Sequence, residues 1–274
     1  MPLFTVDETR CQRDGICAAE CPTRVIDFKG DGTPPTPSKD PASRCINCGH
    51  CVAVCPHGAI SLAAMPSEAC PSIDRGLLPS AESFDHMARS RRSIRNYRKD
   101  PLPHSVLEQL ISTAGYAPSG VNSQMTGWCV ANEREKTEQM AKMTVDWMEH
   151  LLGSKHPLAT GYALDRVVTA WKSGYDGILR GAPALVVAHA PKDYMGGSMD
   201  CHIAMSTLEL AAFSNGLGAC WAGFLLMAAN SWDPLREALK IPRDSSPHAA
   251  MMLGYPEYQY HRIPLRKEPE ITWL

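Results

Sequence analysis

A cysteine pattern that occurs twice constrains this chain more than any other feature. The later copy runs Cys45-x2-Cys48-x2-Cys51-x3-Cys55 and is followed at once by a proline. The earlier copy begins 34 residues upstream, at residue 11 rather than 45, and ends in the same Cys-Pro pair. The two copies agree at every position except one, where Asp14 stands in place of the second cysteine.

This spacing is typical of two-cluster bacterial ferredoxins, in which the fourth cysteine of each run ligates the cluster of the other run. Three thiolates come from one tight loop, and the fourth comes from the opposite copy. The predicted ligands of one cluster are Cys21, Cys45, Cys48 and Cys51. The predicted ligands of the other cluster are Cys11, Asp14, Cys17 and Cys55. The first predicted function is therefore one-electron transfer.

The aspartate leaves two alternatives for its cluster. A carboxylate is a harder ligand than a thiolate and lets its iron exchange more readily. In one alternative, Asp14 ligates the fourth iron of a 4Fe-4S cluster. In the other, that iron is lost and a 3Fe-4S cluster remains. A pair of zinc sites is a weaker alternative, because a zinc site requires neither two copies of the cysteine spacing nor a proline after the last cysteine. Disulfides are disfavoured because these cysteines lie close together and nothing marks a secreted chain.

Composition excludes several classes of function. The 274 residues carry a net charge of −2, which gives no general attraction to nucleic acid or to a membrane. No run of about 18 apolar residues and no signal peptide is present in the sequence. Seven of the eleven cysteines fall in the repeat, which favours a reducing cytoplasm and a low-oxygen cell.

The chain is predicted to hold a ferredoxin-like domain over 1–62, a proline-containing linker over 63–80 and a second domain over 81–274. Ser80 is predicted to cap the first helix of that domain, and Asp233 to cap a later one. Further helices are predicted from 3.6-residue periodicity over 103–115, 134–152, 162–180 and 200–215. A buried strand is predicted over Pro183–Ala188 and a last strand over Ala249–Leu253. The mixture indicates an α+β fold.

Six basic residues lie between Arg89 and Lys99, with Ser93 among them. A solvated surface and a nucleic-acid patch are the alternatives to a phosphate site. Guanidinium groups and a hydroxyl bind phosphate oxygens together, so the serine favours the phosphate site.

Four motifs, taken in order, resemble those of the nitroreductase-like flavoproteins. They are Arg91-Arg92-Ser93-Ile94-Arg95-Asn96-Tyr97, Ala117-Pro118-Ser119-Gly120-Val121-Asn122-Ser123-Gln124, Gly216-Leu217-Gly218-Ala219-Cys220-Trp221 and Leu253-Gly254-Tyr255-Pro256. With the cysteine repeat in front of them, the whole chain resembles the ferredoxin-fused branch of that family. The resemblance implies FMN, a nitroreductase-like α+β domain and an intertwined homodimer with two flavins at the interface.

The resemblance also implies the residues that contact the flavin. The FMN phosphate and the pyrimidine side of the ring would be held by Arg91, Arg92, Ser93 and Arg95. The partner subunit would contribute Pro118, Ser119, Gly120 and Asn122. Backbone groups of Ala222 and Gly223 would face the reactive nitrogen. Arg266 and Lys267, with Arg262 as an alternative, would close on the phosphate.

These features together predict an FMN- and iron–sulfur-dependent oxidoreductase whose clusters relay electrons to or from FMN. The predicted acceptor is a small organic molecule such as a nitro compound or a quinone, and the donor is ferredoxin or NAD(P)H. The alternative is a non-catalytic electron-transfer flavoprotein that serves a protein partner. No side-chain acid or base is predicted, and His86, His150 and His202 are interpreted as surface or core residues.

Overall fold

The computed structural model describes residues 2–274 and divides into two compact units. The first unit contains the chain up to Leu78 together with the short segment Val121–Ser123. The second unit contains Pro79–Gly120 and Gln124–Leu274. Among residues 2–274, no helix is both long and apolar enough to cross a membrane.

The first unit is built from two small antiparallel sheets and two one-turn helices. Strand β1 (Phe4–Val6) pairs with β4 (Ile60–Leu62), and β2 (Ile26–Asp27) pairs with β3 (Thr36–Pro37). Its helices are α1 (Ile16–Ala19) and α2 (His50–Val54). Single 3-10 turns follow at Ser67–Ala69 and Arg75–Leu77.

The two copies of the cysteine repeat have the same backbone conformation. The residues that precede α1 and α2 are Gly15 and Gly49, with φ of 73° and 72° and ψ of 3° in both. Arg13 and Asn47, two positions earlier, also have positive φ, at 57° and 50°. L-residues adopt this left-handed region only at a cost in free energy. Positive φ at the same two positions of both copies therefore shows that both form the same loop. At Gly15 a side chain is also excluded by space, because a Cβ would lie 2.4 Å from the ring of Phe28.

The second unit is organised around a four-stranded antiparallel sheet with the strand order β5-β6-β8-β7. These strands are β5 (Gly127–Ala131), β6 (Ala184–Pro191), β7 (Gly218–Trp221) and β8 (Ser245–Gly254). The longer helices are α3 (Ala81–Ser90), α4 (His104–Ala114), α5 (Arg134–Gly153) and α8 (Gly197–Ser214). The shorter ones are α6 (Pro157–Gly161), α7 (Leu164–Lys172), α9 (Gly223–Ser231) and α10 (Asp233–Ala238).

Helices cover both faces of this sheet. On one face, Leu185 and Val187 of β6 pack with α5, α7 and α9. On the other face, Val186 and Ala188 pack with α4 and α8. A strand buried on both faces needs an unbroken apolar run rather than an alternating pattern, and β6 has one. The buried strand predicted over Pro183–Ala188 therefore lies at the centre of the second unit.

Most of the predicted helices are present with small differences at their ends. Helices α4, α5 and α8 lie where periodicity predicted them, and Ser80 caps α3 by accepting a hydrogen bond from the Ser83 backbone N–H at 3.1 Å. The prediction of a cap at Asp233 was wrong, because Trp232 is the cap and Asp233 is the first residue of α10. A negative charge in the first turn still favours the helix through its dipole.

The single helix predicted over 162–180 was also wrong in its extent. Helix α7 ends at Lys172, and Gly174 follows with φ of 90°. The chain then turns around the Asp176 carboxylate, which accepts backbone N–H bonds from Ile178, Leu179 and Gly181 at 2.8–2.9 Å. Three such bonds satisfy amides that a helix would have used, so the loop is stable without helical bonding.

Candidate functional site

The four thiols predicted to hold one cluster lie around a single cavity in the first unit. Phe4, Val25 and Ile26 contribute apolar walls to the same cavity. The thiols that line it are those of Cys21, Cys45, Cys48 and Cys51. They come from both copies of the repeat, so the arrangement fits a group held across the two loops.

Backbone N–H groups support the two Cys-Pro cysteines in the same way. The Val25 N–H donates to Cys21 Sγ at 3.4 Å, and the Ala59 N–H donates to Cys55 Sγ at 3.3 Å. Burial opposes ionisation of Cys21, but this hydrogen bond and those from its neighbours outweigh it and lower the thiol's pKa. Burial instead raises the pKa of Cys51 to about 11. Iron binds the thiolate, so assembly of a cluster must displace this proton.

Asp14 occupies the position that corresponds to Cys48, but its surroundings differ. Its side chain is exposed, and Oδ1 accepts a hydrogen bond from the Ile16 backbone N–H at 3.3 Å. Cys48 is half-buried and lines the cavity.

All eleven cysteines are free thiols. In the described part of the chain, no three His, Cys, Asp or Glu side chains converge closely enough to hold a single metal ion.

In the second unit, the first of the four motifs, Arg91–Tyr97, runs beside the edge strand β7 and is called the basic motif below. The Ile94 N–H donates to the Ala219 carbonyl at 2.9 Å, and Ser93 forms a parallel bridge with Ala219. Further along, the Arg98 N–H donates to the Tyr255 carbonyl at 2.9 Å. These bonds join three of the four family-like motifs at one edge of the sheet. They also bring the basic motif to the strand that leads into Ala222 and Gly223.

Glycines allow this close approach. A Cβ on Gly218 would lie 2.6 Å from Cγ1 of Ile94, and one on Gly254 would lie 2.8 Å from the ring of Tyr97. Distances below 3.0 Å are not found between real Cβ atoms and their neighbours. The second glycine of Gly216-Leu217-Gly218 is therefore required by packing against the basic motif.

The arginines of the motif have different partners. Arg91 Nη1 forms an ion pair with Glu209 Oε1 at 2.8 Å. Arg95 donates to the Ser93 carbonyl at 3.4 Å. Arg92 donates through Nη2 to the Arg89 carbonyl, while its Nε is buried and has no hydrogen-bond partner among residues 2–274. A buried donor without a partner is costly, and a phosphate oxygen would satisfy it.

The loop predicted to reach the flavin from a partner subunit is anchored to α8. The Gly120 N–H donates to the Asp200 carboxylate at 3.1 Å, and the Tyr194 hydroxyl donates to the same carboxylate at 2.7 Å. Ser119 accepts a hydrogen bond from the Gln124 N–H at 3.1 Å. With Asp200 and its neighbours, Pro118 and Ser119 line a cavity of about 130 Å³.

Asn122 lies in the first unit, where its amide contacts the cluster loop. Nδ2 donates to the Ile46 and Asn47 carbonyls at 3.1 and 3.0 Å. Val121 and Asn122 both have positive φ, at 48° and 54°. Left-handed non-glycine residues carry strain, and these two hydrogen bonds help to hold the segment in that conformation.

The structure therefore brings together only part of the predicted flavin set. Arg91, Arg92, Ser93 and Arg95 lie beside the strand that enters Ala222–Gly223, whereas Arg266 and Lys267 lie in an exposed tail without regular structure. Sequence reasoning missed Asp200 and Glu209, which are buried and bind two of the predicted segments. The available signal was the occurrence of two acids in a helix whose other residues, apart from His202, are apolar, small or uncharged.

Comparison with known proteins matches both units to described families. The nitroreductase family model matches residues 88–255, and the 4Fe-4S dicluster domain model matches residues 9–60. An NADH dehydrogenase from Thermus thermophilus is 27% identical over 203 residues, which are 66% of this chain and 91% of that protein. An FMN reductase [NAD(P)H] from Bacillus subtilis is 24% identical over 169 residues, which are 60% of this chain and 62% of that protein.

Among solved structures, a nitroreductase with bound FMN from Bacteroides fragilis has a TM-score of 0.56 at 22% identity. The match covers 69% of this chain and 97% of the other. This likeness confirms the predicted α+β fold, and the dicluster match favours iron–sulfur clusters over the zinc alternative. The chain belongs to the nitroreductase family, as an oxidoreductase with an N-terminal 4Fe-4S dicluster domain.

Proposed function

We propose that this protein is an FMN- and iron–sulfur-dependent oxidoreductase whose clusters relay electrons to or from FMN for the reduction of a small organic acceptor. The observation that carries the proposal is the presence, in one chain, of a dicluster motif and of a basic motif joined to β7 beside Ala222–Gly223. Clusters carry single electrons, and bound FMN supplies the exchange between one- and two-electron chemistry.

The residues of the second unit fit FMN. Arg92 has a buried Nε that lacks a partner in the described residues, and Arg91, Ser93 and Arg95 lie in the same segment. We propose that this segment binds the phosphate and the pyrimidine side of the ring, and that the backbone of Ala222–Gly223 faces its reactive nitrogen. Cations beside the pyrimidine would stabilise the anionic reduced ring. The bound FMN named for the Bacteroides fragilis structure supports the choice of cofactor.

The cluster ligands are proposed as predicted, with Cys21, Cys45, Cys48 and Cys51 on one cluster. The second cluster takes Cys11, Asp14, Cys17 and Cys55. Asp14 is proposed to ligate the fourth iron in the assembled cluster, and a 3Fe-4S cluster remains the alternative.

Electron donors and acceptors follow from the relatives. NADH dehydrogenase and FMN reductase [NAD(P)H] are names that point to a nicotinamide donor, and the dicluster domain points to reduced ferredoxin. The proposed acceptors are nitro compounds and quinones. We also propose that the protein works in a reducing cytoplasm, because seven of its eleven cysteines fall in the cluster repeat and must stay reduced to bind iron.

A homodimer is proposed from the resemblance to the nitroreductase-like flavoproteins, and several large apolar side chains of the second unit are exposed. Tyr116 is 90% exposed, Leu265 98% and Trp273 87%. A second chain that covered such residues would remove apolar surface from water, which favours association. The homodimer would also supply the loop Pro118–Gly120 to the flavin of the other subunit.

The test is anaerobic reduction of the purified protein by NADH, NADPH and reduced ferredoxin in turn, followed by flavin bleaching. The double substitution Cys45→Ser/Cys48→Ser is expected to keep FMN and to slow flavin reduction by ferredoxin. The matched substitution Arg91→Ala/Arg95→Ala is expected to lose FMN and to keep the brown absorbance of the clusters. Wild-type rates in the cysteine variant would refute the relay. Reduction of the flavin without turnover of any small acceptor would instead favour an electron carrier.

A further inference from the structure

Two residues at the candidate flavin site converge on one buried carboxylate. Arg91 Nη1 lies 2.8 Å from Glu209 Oε1, and Trp221 Nε1 donates to Glu209 Oε2 at 3.3 Å. The Glu209 side chain is 9% exposed and that of Arg91 is 26% exposed. Each carboxylate oxygen therefore has its own donor, and the two donors come from different segments of the chain.

The buried Glu209 carboxylate constrains the positions of the two groups that donate to it. Removing a charge from water is costly unless it is paired and hydrogen-bonded, so Glu209 holds its two donors firmly. Arg91 begins the basic motif, and Trp221 immediately precedes Ala222. The His202 ring stacks on that of Trp221, with the ring centroids 5.7 Å apart. One side chain thus fixes the two segments proposed to hold opposite parts of the flavin.

The ion pair also sets the charge of the site. Arg91 is one of the four motif residues proposed to face the phosphate and the pyrimidine, and Glu209 neutralises it at 2.8 Å. A neutralised arginine stabilises an anionic reduced ring less than an unpaired one does. The pair therefore holds the flavin's potential lower than the basic motif alone would.

We infer that Glu209 is a positioning residue that orients Arg91 and Trp221 about the flavin and lowers its reduction potential by neutralising Arg91. This inference rests on the proposed binding of FMN. It goes further by assigning a role to an acid outside all four family-like motifs.

The test is Glu209→Gln, which keeps the size of the side chain and removes its charge. Loss of the charged bond should weaken binding of oxidised FMN about tenfold, measured by quenching of flavin fluorescence. Release of Arg91 should favour the reduced ring about tenfold relative to the oxidised one, which raises the two-electron midpoint potential by about 30 mV. A merely structural role would weaken both redox states alike and leave the potential unchanged.

Matched variants separate the outcomes. Glu138→Gln removes an exposed ion pair with Arg134 on α5 and should change neither quantity. Glu209→Asp keeps the charge but has a shorter side chain. Its midpoint potential should therefore be closer to that of wild type than its FMN affinity is. If Glu209→Gln does not fold, Trp221→Phe removes one donor alone and should weaken FMN binding without raising the potential.

Two results would overturn the inference in different ways. If wild-type protein binds no FMN at all, the proposed function fails and the role of Glu209 fails with it. If wild-type protein binds FMN, but Glu209→Gln matches Glu138→Gln in affinity and potential, or its substitute Trp221→Phe matches Glu138→Gln in affinity, only the role of Glu209 is refuted.

Discussion

Replacing Gly218 with alanine tests whether close packing against β7 builds the candidate flavin site. A Cβ at this position would lie 2.6–2.7 Å from three side-chain atoms of Ile94. A change of rotamer cannot relieve this contact, because one of the three atoms is Cβ of Ile94 at 2.7 Å, and the backbone that fixes it is bonded to the Ala219 carbonyl at 2.9 Å. The added methyl must therefore push the Ile94 segment from the edge of the sheet.

Overpacking of this kind costs about 1–3 kcal/mol. In a domain of about 200 residues, each kcal/mol lowers the melting temperature by about 2–4 °C, so a decrease of about 2–12 °C is expected. The displaced segment carries Arg91–Arg95, so FMN affinity should also fall by about tenfold, equivalent to about 1.4 kcal/mol. Thermal unfolding followed by circular dichroism and titration with FMN would measure the two effects.

Gly153→Ala is the matched control, because it makes the same chemical change at the last residue of α5. A Cβ there has no neighbour within 4 Å. Alanine in a helix is stabilising by up to about 1 kcal/mol relative to glycine, so this variant should melt no lower than wild type. Equal melting temperatures and FMN affinities for the two variants would refute the packing argument for Gly218.

Four further outcomes are expected. Reconstituted protein should contain about eight iron and eight sulfide per chain, or about seven iron if Asp14 leaves its corner empty, and bound zinc without sulfide would contradict the cluster assignment. Asp14→Cys should convert any three-iron EPR signal into a second four-iron signal, and an unchanged spectrum would show that residue 14 is not at the cluster. Burial, together with the Arg236 charge, lowers the pKa of His189 below its usual 6.5. Its contribution to stability should therefore be lost as the pH falls below about 6.5, and His189→Gln should flatten that part of a melting-temperature profile. Asp200→Ala removes the acceptor of the Gly120 N–H and should cost about 1–3 kcal/mol in chemical denaturation, whereas an unchanged midpoint would argue against the anchor.

Hydrophobic periodicity predicted the helices that bury one face and the strand that is buried on both faces. Helices α4 and α5 bury one face, and β6 is buried on both, so their apolar spacing is visible in the sequence. Strand β7 was missed because Gly218–Trp221 is only four residues long and has no alternation. The helix over 162–180 was overextended because Tyr175 and Ile178 continue the helical spacing beyond Gly174. Ile178 is buried from a loop, and Tyr175 is 56% exposed.

The candidate site was predictable only where it is local in sequence. The spacing of the cysteines and the order of the motifs predicted the cluster loops and the basic segment. The contacts that fix those segments are distant in sequence, since Arg91 and Glu209 are 118 residues apart and Gly120 and Asp200 are 80 apart. An acid in an apolar helix marks a buried polar contact, but a single sequence does not identify its partner.

Helix α8 links the two contacts that the sequence did not reveal. Asp200 and Glu209 are nine residues apart, which is about 13.5 Å along the axis and about two and a half turns, so they project from opposite sides. Asp200 holds the loop at Gly120, and Glu209 holds Arg91 and Trp221. In the proposed homodimer, that loop and Arg91 serve different flavins. A shift of α8 in one chain would then be expected to disturb both cofactors, because its two buried acids contact segments that serve different flavins.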